Sequence, residues 1–558
     1  MRDVATTLYR GGIIHSSADP FAEALLVADG VITWIGANDT ADGLAHRADR
    51  VIELDGALVA PAFVDAHVHT LETGLALTGV DLSPRGGVHS LDDALRVLAT
   101  AARERPATDA DEVLRAFGWD ETEWPEHRAP TAAEIDHATA GARVYAARVD
   151  VHSAVVSTAL ATSAGLARYT GWSEDGWVTA DANDAARDAA RELSPTQRTS
   201  LYRTVLDHAA SHGIASIHEN SAPHIDTRAG LRELLTTTAD PASGHPLVIG
   251  YRGELCETAD DARALLADIP GLTGIGGDLD VDGSLGSRTA ALRGRYSDLT
   301  HDAHAQAGGP DGRGLLYLTA EQVANHLSAV TRAKTQGGFH VIGDRAMDEF
   351  LIGLKAASDI EGNSALRARG HRIEHAPMVD AQALAALLLL GVSLSIQPGF
   401  DAAWGGADGM YAARLGGTRI DGINAFSDLA SAGIPIAFGS DAPVTPVDPW
   451  GAVRACLEHV DPDQRISARA AFRAHTRGGW RLAGLEHTGA GEIRVGAPAH
   501  LAVWRADHYA VQGGKQRASS WSTDVRSGTP LLPAVGPDEP DPTCLHTMRD
   551  GVVLYDTF

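Results

Sequence analysis

Two histidines one residue apart, His67 and His69 in Asp65-Ala66-His67-Val68-His69, carry the strongest chemical signal in this sequence. Side chains alternate along a strand, so on a strand both imidazoles point to one face. Two imidazoles converging from one face suit a borderline-soft divalent metal such as zinc. The chain has 25 histidines, enough for an HxH to arise by chance, so the pair needs companions. His340 in FHVIGDRA and His375 in RIEHAP each follow a strand-like run and precede a helical one, and Asp441 lies in AFGSDAP. A buried histidine is usually a satisfied core residue, and Ser-Asp before Ala-Pro is usually a helix cap. Four histidines and an aspartate, all at strand ends, are hard to assemble that way.

The elements that must position them follow a regular order. Apolar strand-like runs at 60–69, 213–219, 246–252, 274–283, 338–344, 371–377, 392–398 and 434–443 alternate with alanine- and leucine-rich helical stretches. Eight such units favour an α/β fold of the (β/α)8 TIM-barrel type, whose C-terminal strand ends carry the chemistry. Short alternating strands with turn signals fill the first sixty residues and return in the last seventy. The expected organisation is a composite small β domain from residues 1–60 and 488–558, and a βα barrel over 61–487. Residues 75–205 form an excursion with strand-like pieces of its own, LRAFGWDE and RVYAARVDVHSAVVS, and read as a lid over the active face.

Composition narrows the function classes. A net charge of −27 repels phosphate backbones and anionic membranes, so neither nucleic acid nor membrane is an expected partner. The opening MRDVATTLYRGGIIHSS has no basic segment followed by an apolar one, and the expected location is cytoplasmic. Cys256, Cys456 and Cys544 form no CxxC, which argues against a disulfide scaffold or a thiolate metal site.

The stretches PAFVDAHVH, AFGWDETEWPEHRAPT, RVDVHSAVVSTAL, DVDGSLGSRTA, FHVIGDRAMD, RIEHAPM, AFGSDAPV and GEIRVGAPAHLAVW resemble, in order and nearly end to end, the amidohydrolase superfamily and within it the N-substituted formamide deformylase-like branch. The resemblance implies a metal-bearing barrel beside a β-sandwich, with His67, His69, His340, His375 and Asp441 as ligands. Two-metal members often bridge their ions with a carboxylated lysine on the fourth strand. Here that position is Asp278, and the three lysines of the chain, Lys334, Lys355 and Lys515, all lie elsewhere, so no carboxylated lysine is expected. Asp278, Asp280 and Asp282 would share a face of a regular strand, and two residues advance about 6.6 Å. Asp280 is then placed to stand in for the carbamate. A single ion is the preferred reading, and an aspartate-bridged pair is its competitor.

A zinc-type ion lowers the pKa of bound water to about 7. Asp441 is the expected general base, handing the proton to the leaving nitrogen. His375, where it is not a ligand, would stabilise the oxyanion. Trp119, His152 and Arg288 are the candidates for the substrate pocket, with core packing, a turn role and neutralisation of nearby aspartates as their respective alternatives. The expected reaction is hydrolysis of a non-peptide C–N bond, an amide or N-formyl or N-acyl amine. The alternative is deamination of a heterocycle on the same scaffold. The partner is a small-molecule substrate, and the two-ended β domain offers surface for a homodimer.

Overall fold

The computed structural model describes residues 5–105, 112–299, 309, 311–512, 521–522 and 529–558. Among these, the strands β1 (Phe63–Val68), β2 (Ile214–Ser221), β3 (Leu247–Arg252), β4 (Gly274–Ile275), β5 (Gln336–Val341), β6 (Arg372–His375), β7 (Ser393–Ile396) and β8 (Ile436–Phe438) pair in chain order in one sheet of eight. Every pairing is parallel. All eight coincide with the runs read from the sequence. The sheet closes where Val68 bridges Ala442. Parallel strands covered on both faces must be apolar throughout or internally paired, and every residue of β1, β2 and β5 is buried.

Helices follow the strands and start at capping residues. Thr227, Thr258, Thr319 and Asp380 each accept a backbone N–H of the first turn, and Thr258 and Thr319 complete reciprocal boxes with Asp261 and Gln322. Each cap offsets an otherwise unpaired donor at the helix start.

The chain ends meet. One sheet orders Ile13–Ile14, Leu58–Pro61, Leu501–Arg505, Thr543–Arg549 and Val552–Asp556, and a second orders Val31–Gly36, Ala24–Ala28, Thr7–Arg10 and Arg50–Glu53. Tyr9, Leu25, Val27, Ile52, Val59, Leu501, Val503 and Met548 pack between them in one core. The excursion after β1 also builds a sheet, ordered Trp177–Thr179, Ser153–Val156, Val144–Arg148, Leu114–Trp119 and Val80–Asp81.

A buried charge ladder ties this sheet to the barrel loops. Arg148 meets Asp120 at 2.8 Å, Glu121 at 2.8 Å and Asp150 at 3.2 Å. Arg414, beyond β7, joins Glu121 at 2.7 Å to Asp298 at 2.6 Å. Charges buried this deeply must be paired to be tolerated, so the ladder links the excursion to the segments bearing Asp298 and Arg414. No helix among the described residues is long and apolar enough to cross a membrane.

Candidate metal centre

At the end of β1 the barrel closure also builds the site. The Asp441 backbone N–H donates to the His67 carbonyl at 2.8 Å, and the His69 N–H donates to the Ala442 carbonyl at 3.1 Å. The loop after β8 is thereby zipped to β1, and the Asp441 carboxylate lands beside both rings. Its Oδ1 lies 3.1 Å from His69 Nε2 and 3.3 Å from His67 Nε2. Asp441 takes a φ of 55° to do so, a conformation aspartate tolerates better than most residues.

His340 enters from β5. His375, last in β6, adopts a φ of 70°, which breaks the strand alternation. That break lets both Glu374 and its neighbour His375 turn into the barrel: Glu374 Oε2 reaches His67 Nδ1 at 2.8 Å, and His375 Nε2 comes within 3.7 Å of Asp278 Oδ1.

Asp278 is the residue these side chains surround. Its Oδ2 lies 3.1 Å from His69 Nε2, and its Oδ1 lies 3.3 Å from His340 Nδ1 and 3.7 Å from His67 Nε2. The regular part of β4 stops at Ile275, and Gly276 and Gly277 follow with φ of 117° and 83°. A Cβ at Gly276 would stand 2.1 Å from the Gly338 carbonyl oxygen, and one at Gly277 would stand 2.3 Å from Asn220 Oδ1. Only glycine permits that approach, and it carries the backbone inward so that a short carboxylate reaches the centre.

Of the three aspartates expected on one face, Asp278 and Asp280 both line the cavity and approach His340 Nδ1, whereas Asp282 does not. Asp280 has a 42% exposed side chain and approaches the centre only at His340 Nδ1, 3.7 Å away. Asp282 accepts the backbone N–H groups of Ile342, Gly343 and Ala291 at 2.9, 2.7 and 2.8 Å, and so anchors the loops.

Each imidazole is tethered at its outer nitrogen. His67 Nδ1 faces Glu374 at 2.8 Å, His69 Nδ1 faces the Asn220 carbonyl at 3.0 Å, His375 Nδ1 faces Gln397 Oε1 at 2.7 Å, and His340 Nε2 faces the Gly283 carbonyl at 3.3 Å. An acceptor at one ring nitrogen places the proton there and leaves the other a bare lone pair. Four lone pairs therefore turn toward the space around Asp278 and Asp441. Three groups of donors lie within reach of a common ion: His67, His375 and Asp441; His67, His69 and Asp278; and Asp278, His340 and His375.

The electrostatics agree with a cation there. Burial works to raise the Asp278 pKa, but the charge of His67 and the hydrogen bonds of His340, His375 and His67 hold it well below its ordinary value. Burial works to lower His69, but Asp278 and Asp441 draw a proton onto it. A divalent ion satisfies those carboxylates while leaving the imidazoles neutral.

A cavity of about 380 Å³ opens over the centre, lined by His69, Asp278, His340, His375 and Asp441, with His152, Asp184 and Arg187 from the excursion. Beside it a recess of about 30 Å³ is walled by Phe400, Trp404, Met410 and Tyr411, and His152, His340, His375, Asp441 and Val444 border both spaces. His152, a substrate-pocket candidate from the sequence, lies on the wall of both spaces. Burial pushes it down to about 4, with the charge of His340 acting the same way.

Trp119 and Arg288 are not at the cavity. Trp119 is fully buried in the core of the excursion, packed on Trp124 and Trp177, with its Nε1 donating to the Ala146 carbonyl at 2.9 Å. The buried Arg288 is held by Asp298 at 2.7 Å. Sequence reading missed the tethers Glu374, Asn220 and Gln397, and also Arg187, which carries no motif signal. Arg372 and Glu374 do share a strand face by period two, and they pair at 2.5 Å beneath His67.

The chain belongs to the amidohydrolase family, a model of which matches residues 50–555. It is 25% identical over 536 residues to the putative amidohydrolase YtcJ of Bacillus subtilis (90% of this chain, 95% of the relative). It is 21% identical over 513 residues to the N-substituted formamide deformylase of Arthrobacter pascens (87% and 90%). Among solved structures, an uncharacterized metal-dependent hydrolase from Pyrococcus furiosus matches with a TM-score of 0.66 and 25% identity, covering 89% of this chain and 98% of that one. Family, fold and neighbours define a metal-dependent hydrolase.

Proposed function

We propose that this chain hydrolyses a non-peptide C–N bond of a small molecule, an amide or an N-formyl or N-acyl amine, with Asp441 as the general base. The observation that carries the reading is the set of three overlapping donor groups that four outer-tethered imidazoles form with Asp278 and Asp441 along the wall of one cavity. The N-substituted formamide deformylase of Arthrobacter pascens supports the choice of bond.

The nitrogen and oxygen donor set suits zinc. His67, His69 and Asp441 would hold an ion on the β1 side, and His340 and His375 one on the β5–β6 side. Asp278 belongs to a donor group on each side, which fits a shared carboxylate between two ions, whereas the group of His67, His375 and Asp441 spans both sides and fits the single ion expected from the sequence. With two ions, Asp278 would stand in for the missing lysine carbamate in place of Asp280. When bound, a divalent ion of this kind polarises the carbonyl and makes water acidic enough to act near neutral pH.

The chain's own groups do the rest. Asp441 is buried and borders the cavity, with Oδ1 beside His69 and His67, so its carboxylate is placed to orient a water held at the centre. The carboxylate takes that water's proton as its oxygen bonds to the carbonyl carbon. It then returns the proton to the nitrogen as the C–N bond breaks, leaving an amine and a carboxylate product. His375, with Nδ1 committed to Gln397, is read as a ligand. A panel of N-formyl and N-acetyl amines, assayed for both products with metal content measured in parallel, tests the reading. Ammonia release from heterocycles without a carboxylate product would replace it with deamination.

A further inference from the structure

We propose that the ring N–H of His152 donates a hydrogen bond to the substrate carbonyl oxygen as that oxygen becomes an oxyanion. The inference rests on the amide reading above and adds a catalytic residue to it.

The position of His152 carries the argument. Its ring lies edge-on to His340 with centroids 5.2 Å apart, and it borders both the large cavity and the small apolar recess. A carbonyl whose carbon sits over the donor cluster therefore has His152 at its side. The ring is also available. The four imidazoles of the cluster have their N–H groups committed to Glu374, Asn220, Gly283 and Gln397. His224, also on the cavity wall, faces Asp188 at 3.2 Å. No protein hydrogen bond is made by the ring of His152 among the described residues, and it is absent from the groups able to hold an ion.

The backbone beneath it is fixed. The His152 N–H donates to the Asp150 carbonyl at 2.7 Å, across a turn in which Val151 takes a φ of 50°. The Asp150 carboxylate accepts from Ser284 Oγ at 2.6 Å and Ser287 Oγ at 2.8 Å, both from the loop after β4. The turn that carries the ring is therefore held in place beside the centre, and the ring N–H, uncommitted among the described residues, is available when charge develops on a carbonyl oxygen there.

The chemistry balances without a proton leaving His152. As the water oxygen bonds to the carbonyl carbon, the π pair moves onto the carbonyl oxygen, and His152 shares its N–H with it. When the double bond re-forms, the C–N pair departs with nitrogen, which takes the proton carried by Asp441.

The test compares wild type with His152→Phe, which keeps an aromatic ring and removes the donor. In the metal-loaded enzyme kcat falls by about 10²–10³ while KM stays within a few-fold. A phosphinate analogue, tetrahedral and anionic, binds at least about tenfold more weakly, and metal content by elemental analysis is unchanged. Equal phosphinate affinity in the two proteins, or a loss of activity that tracks a loss of metal, overturns the proposal. Should the Phe variant not fold, His152→Ala and His152→Gln make the same comparison. Affinity retained by Gln and lost by Ala is expected, and equal affinity overturns it. The binding arm reads His152 even if no amide is turned over, so failure of the amide reading and failure of this inference are separable.

Discussion

The Nε2 atoms of His67 and His69 lie 3.3 Å apart, and neither ring has a proton of its own to place between them. His67 spends its N–H on Glu374 and His69 spends its own on the Asn220 carbonyl. Two lone pairs that close repel unless a cation or an extra proton intervenes. The pair is thus built for a metal, and the metal-free chain must substitute protons.

That substitution has a pH signature. In the metal-free chain burial works to lower His67, but Asp441 and Asp278 outweigh it and push the ring up to about 9. His340 is pushed up to about 10, again against burial, by Asp278 and Asp280. An unfolded imidazole titrates near 6.5, so between these values the folded state binds more protons than the unfolded one. Stability then falls as pH rises. The contribution is complete below about pH 6.5 and is lost as pH passes through 9 to 10. Thermal melts of chelator-treated protein should show a midpoint descending over that window, while metal-loaded protein gives a flatter profile. Parallel profiles with and without metal would remove the protons from the centre.

Asp441→Asn keeps the shape of the carboxylate and removes its basicity. The fold should survive, because the barrel closure at this point is made by the Asp441 and His69 backbone N–H groups. The expected loss in kcat is about 10²–10⁴, the span of positioned general-base catalysis, with a melting midpoint close to wild type. Turnover within a few-fold of wild type would take Asp441 out of the proton path.

Much of this was legible in the sequence, because barrel strands are continuous apolar runs and their ends carry the polar motifs. Runs such as GIASIHE and VSLSIQP coincide with β2 and β7 because burial on both faces leaves little other reading. Period two failed where the backbone leaves regular geometry. The φ of 83° at Gly277 brings Asp278 forward, and the φ of 70° at His375 turns it inward beside Glu374. The tethers were hidden for another reason: Glu374 and His67 are 307 residues apart in the chain, and only the closed barrel makes them neighbours. Trp119 misled because a tryptophan beside a site motif has the same composition whether it lines a cavity or fills a core.

Gly277→Ala tests the backbone device. The added Cβ would stand 2.3 Å from Asn220 Oδ1, on a residue whose φ of 83° side chains rarely adopt. Relieving both strains requires the segment bearing Asp278 to shift. The expected result is a destabilisation of about 1 kcal/mol or more accompanied by weaker metal retention. A variant with lowered stability but undiminished metal affinity would show that Asp278 is positioned by something else.

Glu374→Gln separates holding an imidazole from merely filling space. In the wild type Glu374 Oε2 accepts from His67 Nδ1 at 2.8 Å while both of its oxygens are gripped by Arg372 at 2.5 and 2.8 Å. Burial works to raise its pKa, but Arg372 and His67 hold it down at about 2, so it is a full carboxylate at any working pH. An ionised partner makes His67 a more basic ligand and fixes its ring; an amide can accept the same hydrogen bond but without the charge, and it leaves the buried Arg372 uncompensated. Metal affinity should fall by about 10- to 100-fold, read by competition with a chelator. The melting midpoint should drop even in the metal-free protein, because the buried guanidinium has lost its counter-charge. If the midpoint drops and metal affinity does not, Glu374 serves only Arg372, and His67 is oriented without it.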